Sequence, residues 1–210
     1  MDLAPLRQEY MRASLHERDL ARDPFEQFAR WFDEALQSGI ALPNAMNLAT
    51  ASKSGRPSVR AVLLKSYDAQ GFVFYTHYGS RKGRELTENP QAMLLFCWEE
   101  LERQISIEGS VTQVPSEESD AYFASRPLGS RLAAIVSPQS EPVASREALE
   151  SGLEEAAKRW RDSPPRPAHW GGYRLAPARF EFWQGRKDRL HDRLCYCSVA
   201  DAWKVERLAP

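Results

Sequence analysis

The run from Trp183 through Gly185 to Arg193 joins a large aromatic and a glycine turn to Arg189, His191, Asp192 and Arg193. Strict strand alternation would set Arg189, His191 and Arg193 on one side. Guanidinium groups there can take an anion through paired hydrogen bonds, and a histidine can exchange a proton near neutral pH or bond a ring substituent. An ordinary charged hairpin has the same composition. Three further groups suit phosphate. Gly79-Ser80-Arg81-Lys82-Gly83 follows a strand-like run and opens a helix, so backbone N–H groups, the helix dipole and two cations converge. Tyr122 and Arg126 lie four apart on one helical face, and Ser130 falls near the next helix start, beyond Pro127. The strand from Arg60 to Lys65 carries a cation at each end of an apolar run. Alternation sends those two to opposite faces unless a bulge or the strand end turns one of them. Solvated surface cations would read the same way in each case.

Other chemistries lack their residues. No GxGxxG follows a strand, and no glycine loop ends in Lys-Ser/Thr, which argues against Rossmann and P-loop nucleotide sites. Cys97, Cys195 and Cys197 read as structural thiols, because the C-x-C pair has no second pair to complete a zinc site. His16, His77, His169 and His191 are scattered, so no protein-bound metal is expected. A net charge of -1 over 210 residues supplies no long-range field for nucleic acid or an anionic membrane, so any anion site is local. The N-terminus has no signal-like apolar run and no stretch suits a membrane span, which places the expected protein in the cytoplasm.

These residues need a scaffold. Asp23-Pro24 reads as a helix cap followed by proline at the first helical position, with Phe25, Phe28, Phe32, Ala35 and Leu36 as the apolar stripe and Gly39 as the stop. Residues 1–20 suit a loosely attached arm or lid. Strand-like runs follow at 45–52, 57–67, 72–77, 92–98 and 102–114, with a helix near 80–88. Their short connections predict an antiparallel sheet, closed into a barrel. Helical segments at 117–125, 130–136 and 145–161 come next, then strands at 172–175, 179–183, 194–198 and 203–207. The whole chain reads as one mainly β domain with flanking helices.

In order and at matching spacing, RAVLLK at 60–65, YT and SRK within 75–82, SRP at 125–127, PQS at 138–140, FWQG at 182–185 and RLHDR at 189–193 resemble the pyridoxine (pyridoxamine) 5'-phosphate oxidases. The likeness extends from Arg7 to Pro210. It implies an FMN-binding antiparallel split barrel, a homodimer with FMN at the subunit interface, and oxidation of pyridoxine 5'-phosphate or pyridoxamine 5'-phosphate to pyridoxal 5'-phosphate. Hydride would pass from substrate C4' to flavin N5, and O2 would be reduced to H2O2.

Carried over by position, Arg60, Lys65, Tyr75, Thr76, Arg81, Lys82, Gln104, Gln139, Ser140, Trp183 and Arg193 would contact the flavin. Lys65, Tyr122, Arg126 and Ser130 would hold the substrate phosphate, with Arg189 and His191 over its ring as the catalytic candidates. Arg7 and Tyr10 match the family's N-terminal closing segment. The chain departs from several relatives at Ile40 to Asn44, which lacks their acidic residue. The rival readings are a split-barrel flavin reductase with another substrate and a non-catalytic pyridoxal phosphate carrier.

Overall fold

The computed structural model describes Met1, residues 9–200 and residues 202–210. Helix α1 (Pro24–Gln37) starts as the sequence predicts, with the Asp23 carboxylate accepting the N–H of Phe25. Gly39, at φ +83°, turns the chain away after its end. Its buried face carries Phe28, Trp31 and Ala35, whereas Leu36 is 55% exposed. The expected stripe was therefore misplaced at Leu36, which lies one residue and so about 100° round from Ala35.

The strands are β1 (Ala45–Ala51), β2 (Pro57–Leu63), β3 (Ser66–Asp68), β4 (Gly71–His77), β5 (Gln91–Trp98), β6 (Arg103–Gln113), β7 (Trp170–Gln184), β8 (Asp192–Val199) and β9 (Ala202–Arg207). Every pairing is antiparallel, in the order β2-β1-β5-β6-β7-β4-β3, with β8 and β9 branching from β7. The two end strands β2 and β3 are consecutive in the chain. Between them, Leu64 N–H donates to Asn44 O and Lys65 N–H to Val73 O, so the sheet curls back on itself. This break divides the strand expected over 57–67.

Strand β7 makes the barrel split. It pairs with β6 from Tyr173 to Gln184, while its other edge is shared, residues 170–175 with β4 and 179–184 with β8. The sequence suggested two strands here because Pro177 stands between them. Pro177 is accommodated opposite Gly109, where the register shifts. A Cβ on Gly109 would lie 2.0 Å from Ala176 O, so glycine permits this close approach.

Helix α2 (Arg81–Glu88) lies between β4 and β5, and α3 (Ser116–Ser125), α4 (Leu128–Val136) and α5 (Arg146–Trp160) follow β6. Ser80 and Ser145 cap α2 and α5 through the N–H groups of Gly83 and Ala148. Aromatic rings fill the barrel, with Phe28 of α1 against Phe72 and Phe96 at 4.9 and 5.3 Å. No helix among the described residues is long and apolar enough to cross a membrane.

Arg7 lies outside the described residues. The described remainder of the N-terminal segment is docked on the barrel. The Arg12 N–H donates to the Glu102 carboxylate and the Leu15 N–H to Asp192, while Leu15 is only 4% exposed.

Gly83 seats α2. A Cβ there would fall 2.0 Å from Tyr78 O, a backbone atom with little freedom to retreat. Gly83→Ala is expected to destabilise the fold by about 1–3 kcal/mol, read as a lower thermal midpoint. An unchanged midpoint would contradict this seating.

Candidate active site

A cavity of about 620 Å³ opens between β2, β4, α3 and α4, lined among others by Lys65, Tyr75, Thr76, Lys82, Tyr122, Arg126, Ser130 and Gln139. The sequence expected all eight in ligand contacts, and the fold brings them together. Lys65 arrives because β2 ends at Leu63, which frees it from the alternation that would oppose it to Arg60. Tyr75 and Tyr122 stack at 3.9 Å, and Trp170 extends the stack on Tyr75 at 5.5 Å. Arg126 caps α3 beside them, its guanidinium 4.5 Å from the Trp170 ring.

One nitrogen of Arg126, Nη1, is buried with no hydrogen-bond partner among the described residues. Burial lowers the pKa of this guanidinium, partly offset by Tyr122. A cation in this condition favours an incoming anion.

A second group of cations gathers at the start of α2. Lys82 is buried, and its Nζ donates to Thr76 Oγ1 at 3.1 Å, Gln139 Oε1 at 3.1 Å and Ser80 Oγ at 3.4 Å. Burial, with the nearby positive charge of Arg60, brings its pKa down to about 8. Arg60 donates to Leu48 O, to Thr50 Oγ1 at 2.7 Å and to Ser58 Oγ. Arg81 lies one turn from Glu85 and pairs with it at 2.9 Å. The loop holding Gln139 and Ser140 is fastened to α2 by Arg84, which binds Glu141 at 2.6 Å, and Ser140 takes φ +75°.

The third group stands apart. Trp183 pairs in register with Gln104 on one side and Arg193 on the other. His191 lies 4.6 Å from the Trp183 ring, and Tyr10 makes edge contacts with Trp183 at 5.7 Å and His191 at 5.5 Å. Arg186 N–H donates to His191 Nδ1 at 3.1 Å, so the neutral ring carries its proton on Nε2. Burial, then the charge of Arg189, lowers the His191 pKa. Arg193 donates to Glu181 at 2.7 Å.

The expectation that Arg189, His191 and Arg193 follow one strand face fails. Asp188 and Arg189 have φ of +56° and +62° in a short 3-10 turn, and β8 begins only at Asp192. Alternation has no meaning across that turn. Arg189 is exposed and forms no ion pair among the described residues.

Distance separates the groups. Tyr75 pairs with Gly172 near one end of β7, and Trp183 lies near the other. At about 3.3 Å per residue, roughly 36 Å of strand runs between Gly172 and Trp183. Within one chain the two groups therefore stand at opposite ends of β7. The described residues contain no group of three or more His, Cys, Asp or Glu able to hold a metal ion.

Sequence reasoning missed Glu85, Trp170 and His77. Glu85 had a signal in its i,i+4 spacing from Arg81. Trp170 and His77, the latter stacked on His169 at 4.3 Å, had none, because strand pairing places them at the cavity.

An antiparallel split barrel carrying phosphate-suited cations on its helix start and strand ends defines the FMN-binding split-barrel class. A profile described as pyridoxamine 5'-phosphate oxidase matches residues 32–159, and one described as the pyridoxine 5'-phosphate oxidase C-terminal dimerisation region matches 170–210. A Burkholderia lata protein named pyridoxine/pyridoxamine 5'-phosphate oxidase is 57% identical, over 99% of each chain. The crystal structure of PhzG from Burkholderia lata, in complex with tetrahydrophenazine-1-carboxylic acid, superposes with a TM-score of 0.88 at 36% identity, covering 93% of this chain and 98% of that one. A pyridoxamine 5'-phosphate oxidase-related, FMN-binding protein from Nostoc punctiforme shares the fold, with a TM-score of 0.71 at 17% identity, covering 91% of this chain and 100% of that one. The chain belongs to the pyridoxine/pyridoxamine 5'-phosphate oxidase family, flavin oxidoreductases with FMN as cofactor.

The residues present fit such a group. Among the described residues Lys82 has hydroxyl and amide partners but no carboxylate, which leaves its charge available to a phosphate. A bound phosphate favours the charged amine, so FMN affinity should be highest below the Lys82 pKa of about 8 and fall above it. FMN titrations at pH 7 and pH 9 are expected to differ by up to about tenfold, with tighter binding at pH 7. Equal affinities would contradict Lys82 as a phosphate ligand.

Proposed function

We propose that the chain oxidises pyridoxine 5'-phosphate and pyridoxamine 5'-phosphate to pyridoxal 5'-phosphate at a site shared by two copies of itself. The observation that carries this reading is that one cavity is lined by Lys65 and Arg126 on one side and by Lys82 on another, with Arg60 and Arg81 paired to Glu85 of the helix that carries Lys82. Arg60, Arg81 and Lys82 would take the FMN phosphate, and Lys65, Arg126 and Ser130, with the Tyr122 hydroxyl, the substrate phosphate. Two phosphorylated ligands need two grips.

The separation along β7 supports a homodimer. A second copy would bring Gln104, Trp183 and Arg193 to the flavin, and Arg189 and His191 to the substrate ring. The dimerisation-region match over 170–210 contains all of these but Gln104. Edge strand β2 also leaves Val59 67% and Leu63 37% exposed, apolar surface suited to a partner.

Bound there, FMN would supply the hydride acceptor, N5, for the substrate C4' hydrogen and a route for the electrons to O2, giving H2O2, and the amine substrate would in addition take up water and release ammonia to reach the aldehyde. The protein's own part is orientation and charge balance. Arg126 and Lys65 fix the phosphate end, and Tyr75 and Tyr122 wall the cavity. His191 carries its N–H on Nε2 and can donate to a ring substituent. Tyr10, already against Trp183 and His191, would cover the ring from the N-terminal segment, with Arg7 beside it in sequence. This positioning lowers the barrier by holding the reacting atoms in line.

The PhzG neighbour's bound acid raises a second substrate class, but a half-buried guanidinium with one buried nitrogen, beside Lys65 and a serine hydroxyl, suits a phosphate dianion better than a single carboxylate.

Peroxide release from both phosphates, with FMN supplied, is the direct test. Absence of peroxide, or equal turnover of unphosphorylated pyridoxine, would contradict the proposal. Arg126→Ala is expected to raise KM for the phosphorylated substrate about ten- to a hundredfold, as a lost charge-assisted hydrogen bond of about 1.5–3 kcal/mol requires. An unchanged KM would remove Arg126 from the phosphate site. Arg189→Ala should depress kcat more than flavin content, and loss of FMN with normal turnover per flavin would reverse that assignment.

A further inference from the structure

We infer that Glu85 is a positioning residue for the flavin phosphate, holding Arg60 and Arg81 in their binding arrangement and setting the net charge of the grip they form with Lys82. The inference rests on the reading that these three cations take the phosphate of FMN. Glu85 is only 6% exposed, and groups from three elements converge on its carboxylate. Oε1 accepts from Arg81 Nε of α2 at 2.9 Å. Oε2 accepts from the Thr50 hydroxyl of β1, the Ser58 hydroxyl of β2 and, at 3.4 Å, Arg60 Nη2. Burial alone would raise its pKa, but the bonds from Ser58, Thr50 and Arg81 bring it down to about 2. The carboxylate is therefore charged at every pH at which the protein would work.

Two consequences follow for a phosphate. Long arginine side chains lose rotamer freedom when they close on a ligand. Here Glu85, with Thr50 and Ser58, restrains Arg60 and Arg81 before any ligand arrives. Preorganised donors bind more tightly because that ordering is already done. The second consequence is electrostatic. Three cations with one carboxylate leave two net positive charges, which complements a phosphomonoester of about −1.5 to −2 near neutral pH. The neighbouring Arg84 is paired outward with Glu141 and stands outside this balance. Were Glu85 chiefly a competitor for the arginines, removing its charge would tighten phosphate binding. The convergence of hydroxyl donors on the same carboxylate argues for the opposite sign.

FMN and riboflavin separate positioning from general support, since the two share the ring and ribityl chain and differ in the phosphate. Glu85→Gln keeps the side-chain shape and removes the charge. It is expected to weaken FMN about tenfold while changing riboflavin affinity by no more than about twofold, both measured by fluorescence titration on the intact protein. Ser58→Ala, which strips one donor from the same carboxylate on a half-buried strand position, is expected to act in the same phosphate-selective direction by about threefold. Equal losses of both flavins, or unchanged or tighter FMN binding in these variants, would overturn the inference while leaving the proposed function intact. Failure of the unmodified protein to bind FMN would overturn both.

Discussion

The pairing of β7 is the constraint on which the arrangement depends. One edge of this strand follows β6 from Tyr173 to Gln184, and the other is divided between β4 and β8. Antiparallel pairing therefore fixes Tyr75 and Thr76 to one end and Trp183 and Arg193 to the other. The bulge at Glu108/Gly109 lets a single strand carry Pro177 and bend between its two partners. A site needing both ends cannot form within one copy of such a strand. Symmetric association of two copies would meet that need twice, once for each of two equivalent sites.

Charge placement is the second element. Lys82 and Arg126 sit where burial disfavours their charged forms, and Arg126 keeps a buried nitrogen without a partner among the described residues. Such positions cost stability in the free protein. They would also make contacts to the proposed phosphates strong, because water competes weakly there and the donors are already aimed. Stability held back in this way is recovered when an anion binds the native state alone. Several other cations are paired with carboxylates in the ordinary manner, as Arg179 is with Glu181 and Arg207 with Glu17 and Asp192.

Much of this was legible in the residues. Asp23-Pro24 marked the start of α1, Ser80 and Ser145 stood where α2 and α5 begin, and the alternating runs gave β1, β4, β5, β6, β8 and β9 within about two residues of their observed limits. The motifs around Lys65, Lys82 and Arg126 pointed to residues that do share a cavity. What escaped was set by tertiary pairing. Pro177 looked like a strand break because the glycine that accommodates it, Gly109, is distant in sequence. Arg189 looked aligned with His191 and Arg193 because residues in left-handed conformation, Asp188 and Arg189, are not glycines. Glu85 went unremarked because its hydroxyl donors come from β1 and β2. The distance between the two ends of β7 could not be read at all, since spacing along a chain says nothing about which residues meet across a symmetry axis.

Complementation between two defective copies tests the shared site most directly. One variant would carry Lys82→Ala and Arg126→Ala, the other Trp183→Ala and Arg193→Ala, each pair confined to one end of β7. Refolded separately, neither should turn over pyridoxine 5'-phosphate with FMN. Refolded together in equal amounts, random pairing makes half the dimers mixed, each with one intact site, so activity should return to about a quarter of the unmodified level. If the mixture stays as inactive as its components, while both variants fold and dimerise, the site is not shared between copies.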